Sequence, residues 1–168
     1  LLKTAGKPLV YVNCSGSAMG MVPETQNADA ILQAWYGGEC AGEAVADVLF
    51  GDYNPSGKLP VTFYKNAEQL PDFLDYTMKG RTYRYMKETP LFPFGYGKSY
   101  TTFSLDKPSY KKGKVYVTVT NTGEIDGCEV VQVYVRKQGD AEGPNKTLRA
   151  FQRVQLKAGE SKKVEVLL

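Results

Sequence analysis

The chain has 168 residues, 42% of them hydrophobic, with 21 Lys and Arg against 18 Asp and Glu and no histidine. That length suits one ordinary domain or two small ones. The missing histidine excludes a Ser-His-Asp triad, a Cys-His dyad and any histidine-based metal site built from this chain alone. A net charge of +3 is too small to argue for nucleic acid or an anionic membrane as partner. Twenty aromatic residues, twelve of them Tyr, belong to a folded protein.

Leu9-Val10-Tyr11-Val12-Asn13 is a short apolar run ending at Ser15-Gly16-Ser17, the pattern of a buried strand meeting a loop. Ala30-Ile31-Leu32-Gln33-Ala34-Trp35 has the same character and stops at Gly37-Gly38. Ala41, Ala44, Val45, Val48 and Leu49 then recur at helical spacing and form one apolar stripe. Glu39 and Glu43 stand at the start of that helix, where the dipole favours anions, and Gly51 follows Phe50 as a natural cap. Asn54-Pro55-Ser56-Gly57 has turn chemistry, and Leu59-Pro60-Val61-Thr62-Phe63 is expected to form another short strand. Strand, strand, helix and strand suggest part of an α/β layer.

Residues 64–98 show no clean period and carry five tyrosines and three prolines, so they are read as a long ordered excursion over a surface. From Phe103 onward alternation takes over. Val115, Val117 and Val119 alternate with Tyr116, Thr118 and Thr120, and Val131, Val133 and Val135 alternate with Val130, Gln132 and Tyr134. Further strands are expected around Leu148–Leu156 and Val164–Val166, joined by Ala158-Gly159-Glu160. Short alternating strands joined by turns point to a β-sandwich. The expected organisation is therefore α/β plus all-β, with residues 1–98 as the C-terminal part of an α/β-sandwich domain and its connecting loop, and residues 99–168 as a fibronectin-III/immunoglobulin-like sandwich. The first segment carries nine basic against ten acidic residues, the second twelve against eight.

Several residue groups invite chemistry. Gly97-Lys98-Ser99 would need glycine at position 92 to form a phosphate loop, and that residue is Phe92. A structural turn is the favoured reading. Gly37, Gly38 and Gly42 surround a helix start that could hold an anion, but Glu39 would repel phosphate, so tight packing is preferred. Asp29, Glu39, Glu43, Asp47, Asp52, Asp72 and Asp75 are candidate carboxylates among the ten acidic residues of the first segment. Glycoside hydrolysis needs two of them about 5–10 Å apart, and no pair is marked. Asp75, inside an aromatic loop, either lines a sugar cleft or anchors the loop, with anchoring preferred. Arg81 and Arg84, interleaved with Tyr83 and Tyr85, are read as cation–π and hydrogen-bond anchors rather than a nucleic-acid surface. Cys14, Cys40 and Cys128 are too few and too widely spaced for a disulfide framework or a metal site, and are expected as buried free thiols. The Asn13 and Asn145 sequons are assigned no function. No stretch approaches the ~20 apolar residues needed to span a membrane. The start at Leu1-Leu2-Lys3 and the end inside Val164–Leu168 read as a piece cut at both ends.

Five runs together carry a resemblance: Gly6-Lys7-Pro8-Leu9-Val10 through Gly16-Ser17, Ala28–Tyr36, Gly42–Pro60, Gly80–Tyr85 and Phe92–Phe103. They resemble glycoside hydrolase family 3, the β-glucosidase and β-xylosidase group. Glu129–Val135 through Ser161 is similar to the fibronectin-III-like domain of the same enzymes. The chain departs from the family at Gly37-Gly38, where Pro-Gly is usual, and at Lys98, where Leu is common. The resemblance implies a retaining β-glycosidase acting on terminal β-D-glucosyl or β-D-xylosyl residues, periplasmic or secreted, without a cofactor. It also implies that the nucleophilic Asp and the acid/base Glu lie in a barrel and a loop upstream of Gly6. No catalytic, substrate-binding or metal residue can then be placed on this sequence, and the chain is expected to be structural and cleft-walling. The family's sandwich runs on past Leu168, so a homodimer through unpaired strand edges is expected. An alternative is a non-catalytic carbohydrate-binding or adhesion module using the aromatics of residues 64–100. No nucleic-acid or membrane partner is expected.

Overall fold

The computed structural model describes residues 2–168. It divides into two compact units that do not follow simple chain order. One comprises Leu1–Phe50 and Pro60–Phe94, the other Gly51–Leu59 and Gly95–Leu168.

The first unit is an α/β segment. Strands β1 (Val10–Asn13) and β2 (Ala30–Gln33) pair in parallel, Val10 opposite Ala30 and Asn13 opposite Gln33. A parallel pair needs a crossover, and helix α1 (Val22–Asn27) supplies it. This six-residue helix is too short to show a period, but Pro23 and Glu24 in its first turn are a start signal. Asp29 accepts the Leu9 N–H at 2.8 Å through its carboxylate, while its own N–H donates to the Leu9 carbonyl at 2.8 Å, which closes the lower end of the ladder. Helix α2 (Ala41–Phe50) forms where the periodicity predicts it, and Gly51 follows with a φ of +89°. None of its residues is buried. A two-stranded sheet is too narrow to cover its apolar stripe.

Leu59–Phe63 does not become a strand. Only Phe63 forms an isolated antiparallel bridge, with Phe92. Pro60 has no N–H to offer a ladder. Phe63 is fully buried and meets Trp35 and Phe92 edge-on, with ring centroids 6.1 and 6.3 Å away. A short helix, α3 (Thr82–Tyr85), interrupts the irregular 64–94 segment.

The second unit is a β-sandwich. One sheet holds β3 (Phe103–Leu105), β4 (Ser109–Lys111), β5 (Lys114–Asn121) and β8 (Ser161–Leu167), with β5 pairing antiparallel to the other three. The other pairs β6 (Gly127–Val135) with β7 (Thr147–Leu156). Lys112 and Gly113, with φ of +50° and +77°, make the two-residue β4–β5 turn, the twist-compatible geometry for a hairpin. Alternation sends Val117, Val119, Val164 and Val166 from one sheet and Val131 and Leu156 from the other into a shared core. Asn121 is fully buried at the end of β5. Its Oδ1 accepts from the Thr101 hydroxyl and the Gly123 N–H, and its Nδ2 donates to the Ile125 carbonyl, fixing the turn into β6.

Residues 51–59 join the sandwich through side chains. Asn54 donates to the Asp126 carbonyl at 2.9 Å and accepts from Ser99 and the Tyr100 N–H, both at 2.8 Å. Lys58 pairs with Glu129 at 2.9 Å and donates to the Gly97 carbonyl at 2.8 Å. Arg153 donates to Ser56 and to the Tyr53 hydroxyl.

Candidate functional site

The irregular segment of the first unit contains an open cleft of about 490 Å³, lined by Ala67, Leu70, Pro71, Phe73, Asp75, Tyr76 and Arg81. Its loop is braced from within. The Asp72 carboxylate accepts the Leu74 N–H and the Asp75 carboxylate accepts the Thr77 N–H, each at 2.8 Å. Such turns let a carboxylate replace a backbone acceptor. Arg81 donates to the carbonyls of Thr77, Asp72 and Asp75. The Thr77 N–H and hydroxyl, with smaller help from the Arg81 and Lys79 charges, hold the Asp75 carboxyl below its usual range. Behind the loop, Thr82 adopts a φ of +55°, rare for a β-branched residue. The Tyr64 hydroxyl accepts its N–H at 2.8 Å. Tyr83 stacks on Phe94 with centroids 4.2 Å apart, and Arg84 lies 5.6 Å from the Tyr85 ring centroid. The geometry shows the anchoring role for Arg81, whereas the Arg84 guanidinium meets the ring of its neighbour Tyr85 and its buried Nε has no hydrogen-bond partner.

The brace leaves Phe73 and Tyr76 displayed outward, 88% and 85% exposed, with Leu74 between them. Sequence reasoning singled out Asp75 and missed Phe73 and Leu74. Neither sits in a periodic pattern, and only the neighbouring Pro71 and the Asp72 and Asp75 turns hint that the chain doubles back here.

The remaining candidate carboxylates do not gather at this cleft, where Asp75 is the single acid. Asp29 is spent on the β1–β2 ladder. Glu39 and Glu43 are exposed around the start of α2, Asp47 is half-buried further along it, and Asp52 is exposed just past it. Among the described residues no group of three or more His, Cys, Asp or Glu is arranged to hold a metal.

The cysteines differ from expectation. Cys14 and Cys40 are exposed and Cys128 is half-buried, all three as free thiols. Alternation explains Cys14: Asn13 turns inward, bonded to Ser15 and Gln33, so the next side chain turns out. Burial of Asn13 also closes its sequon to modification in the folded chain.

Gly95 and Gly97 serve close approach rather than phosphate. A Cβ on Gly97 would lie 2.1 Å from the Gly57 carbonyl oxygen, and one on Gly95, where φ is +80°, would lie 2.2 Å from Gln132 Oε1. Gly37 is likewise crowded by Ala41, where an added Cβ would stand 2.2 Å from the alanine methyl, as tight helix-entry packing requires.

Residues 1–100 match the glycosyl hydrolase family 3 C-terminal domain, and residues 129–168 match the fibronectin type III-like domain. The chain is 57% identical over 166 residues to a xylan 1,4-β-xylosidase of Xylanibacter ruminicola, covering 95% of this chain and 19% of that protein. It is 45% identical to a periplasmic β-glucosidase of Salmonella typhimurium, covering 97% of this chain and 24% of the relative. Among solved structures, a β-glucosidase of Erythrobacter marinus superposes with a TM-score of 0.84 at 41% identity, over 98% of this chain and 23% of that one. A β-glucosidase of Listeria innocua superposes with a TM-score of 0.82 at 35% identity, over 99% of this chain and 26% of that one. The chain thus spans about a fifth to a quarter of the length of these relatives. An α/β segment with the Gly42–Pro60 and Phe92–Phe103 runs, followed by a sandwich closed by Asn54 and Lys58, meets a family model over more than half its length, and the chain belongs to glycosyl hydrolase family 3.

Proposed function

We propose that this chain serves a retaining β-glycosidase that removes terminal β-D-glucosyl or β-D-xylosyl residues from plant-type oligosaccharides. In that enzyme the chain is structural and walls the cleft, and the carboxylates that cleave the bond are supplied by other parts of the protein. The observation that carries this reading is the use of the acids. Asp29, Asp72 and Asp75 accept backbone N–H groups, Glu129 is paired with Lys58, and the cleft at Arg81 holds a single carboxylate where a glycosidase needs two. Support for the substrate class comes from relatives described as β-xylosidase and β-glucosidase. Support for a periplasmic or secreted setting comes from the Salmonella relative, described as periplasmic. The test is hydrolysis of 4-nitrophenyl β-D-xyloside and β-D-glucoside by the purified chain. Background rates are expected. Turnover that stays with the chain through successive purification steps would overturn the non-catalytic role.

A second reading, a non-catalytic carbohydrate-binding module, is favoured by one observation: Phe73 and Tyr76 are exposed and line the cleft. Aromatic faces of this kind stack on sugar rings. Saturable heat of binding with xylo- or cello-oligosaccharides, abolished in Tyr76→Ala, would favour it over the first. A second copy of the chain is a further proposed partner, through the edge of β8 that faces away from β5, the one strand it pairs with among the described residues. Light scattering that shows a monomer at high concentration would remove that partner.

A further inference from the structure

The two sheets of the sandwich are unequal in width. In the first, β3 pairs with the Val119–Asn121 end of β5, β4 with its Lys114–Tyr116 end, and β8 with nearly its whole length. A strand has two edges, so β8 takes one edge of β5 while β3 and β4 share the other. The second sheet holds β6 and β7. β7 approaches β8, and β6 brings Val131 against the β5 valines. Among the described residues, no strand of the second sheet then remains to lie beneath β3 and β4.

Register shows what this leaves open. Val117 and Val119 enter the core, so Leu105, opposite Val119, and Tyr110, opposite Val115, face the same way. Yet they are 52% and 68% exposed. Val135 continues the inward line of Val131 and Val133 along β6 and is exposed as well. These side chains border the core on one flank and solvent on the other. Beside them runs the edge of β6 that faces away from β7. Its lower end is capped, because the Glu129 carboxylate accepts the Val130 N–H at 2.7 Å and pairs with Lys58. From Val131 to Val135 the edge presents backbone groups at strand spacing.

This combination selects the occupant. It must supply amides every second residue to the β6 edge and apolar groups to the overhanging face. A glycan or a lipid has no such row of amides, and nucleic acid would set phosphates against an apolar wall. A second sandwich pairing edge to edge through β6 would drive its own β3 and β4 into the same space. A single extended strand meets both demands. The relatives supply a source: this chain spans about a fifth to a quarter of their length, and a tethered segment acts at high effective concentration.

We propose that the β6 edge beneath Leu105 and Tyr110 is an acceptor groove for one extended polypeptide strand, apolar at alternate positions, supplied by a longer protein that contains this chain. The groove lies wholly within the second unit and stands whether or not the hydrolytic role holds.

Fluorescence anisotropy of a labelled eight-residue peptide, alternating valine with threonine or lysine and blocked at both ends, tests it. Saturable binding to the chain is expected. Scrambling the peptide to break the alternation, or methylating alternate amide nitrogens, should abolish binding. Tyr110→Asp should weaken it roughly tenfold, and Leu105→Asp should weaken it too. Phe151→Asp, at an exposed aromatic that alternation turns away from the core, should leave it unchanged. Circular dichroism confirms that each variant is folded. Full-length Xylanibacter xylosidase, whose groove the proposal fills from within, should bind no peptide. Absent binding to the chain overturns the proposal, as does equal binding of the scrambled or methylated peptide or an equal loss in Phe151→Asp. A chain dimer that Tyr110→Asp dissociates replaces the strand with a second copy, and peptide binding by the full-length relative removes the internal source; either result overturns it.

Discussion

The two units bury their apolar residues by different means. In the sandwich, Val117, Val119, Val131, Leu156, Val164 and Val166 come together from four strands in one cluster. In the α/β unit the buried apolar side chains are Met21, Phe63 and Met86. Its principal helix buries none of its residues, and Phe50 at its end is 84% exposed. The difference shows that a hydrophobic period specifies an element, whereas burial requires an opposing surface wide enough to receive it. Two facing sheets provide that surface to each other, and a two-stranded parallel pair does not. The α/β unit relies more on aromatic contacts and on side chains that satisfy backbone groups.

The strongest test of this contrast is Phe63→Ala. It should cost the first unit about 4 kcal/mol. Trp35, the chain's only tryptophan, packs 6.1 Å from that ring, so its fluorescence should report the loss in urea while the circular dichroism of the sheets unfolds later. A single coincident transition for both probes would break the comparison. Leu156→Ala should remove about 3 kcal/mol from the sandwich and shift the circular-dichroism midpoint more than the Trp35 midpoint. Asn54→Ala unties Asp126, Ser99 and Tyr100 from residues 51–59. It should destabilise the sandwich by about 2 kcal/mol, and amide exchange in Gly51–Leu59 should rise with it. An effect confined to Trp35 fluorescence would place those residues with the other unit.

Arg81→Ala should cost about 1 kcal/mol overall, with protease sensitivity appearing between Phe73 and Thr77, because three carbonyls lose their donor. The smallest effect is on pH dependence. Lys114 holds the Glu165 carboxyl below its ordinary range, and the Lys157 N–H and Lys162 do the same for Glu160. A carboxyl whose folded pKa lies below its unfolded value supports the fold above the unfolded value. That support fades as the pH falls through the ordinary glutamate range near about 4.3 and below. Lys114, raised by Glu165, adds support that is present at neutral pH and lost at alkaline pH above its raised value. Urea midpoints at pH 7 and pH 3 should therefore differ less in Glu165→Gln than in the parent chain.

Much of the site was legible locally. The tyrosine-rich loop, its Asp75 and the anchoring of Arg81 follow from composition and turn chemistry. Phe73 and Leu74 did not, because display on a braced loop has no period. On the sandwich, alternation along β5 already turned Val117 and Val119 to one face. Cross-strand register was needed to bring Leu105 and Tyr110 to that same face.

The sequence by itself determined the local geometry: the helix at Ala41–Phe50, the long alternating strands of the sandwich, the glycines at tight turns and the family motifs. These depend on the spacing of neighbours along the chain, which backbone periodicity fixes. Tertiary structure decided the rest. Leu59–Phe63 became a single bridge because Pro60 cannot donate to a ladder. Residues 51–59 joined the sandwich because Asn54, Ser56 and Lys58 find their partners there. Cys14 was left outside because Asn13 took the inward position, bonded to Ser15 and Gln33. Each of those outcomes depends on residues far apart in sequence meeting in space, and the order of residues along one segment carries no record of that meeting.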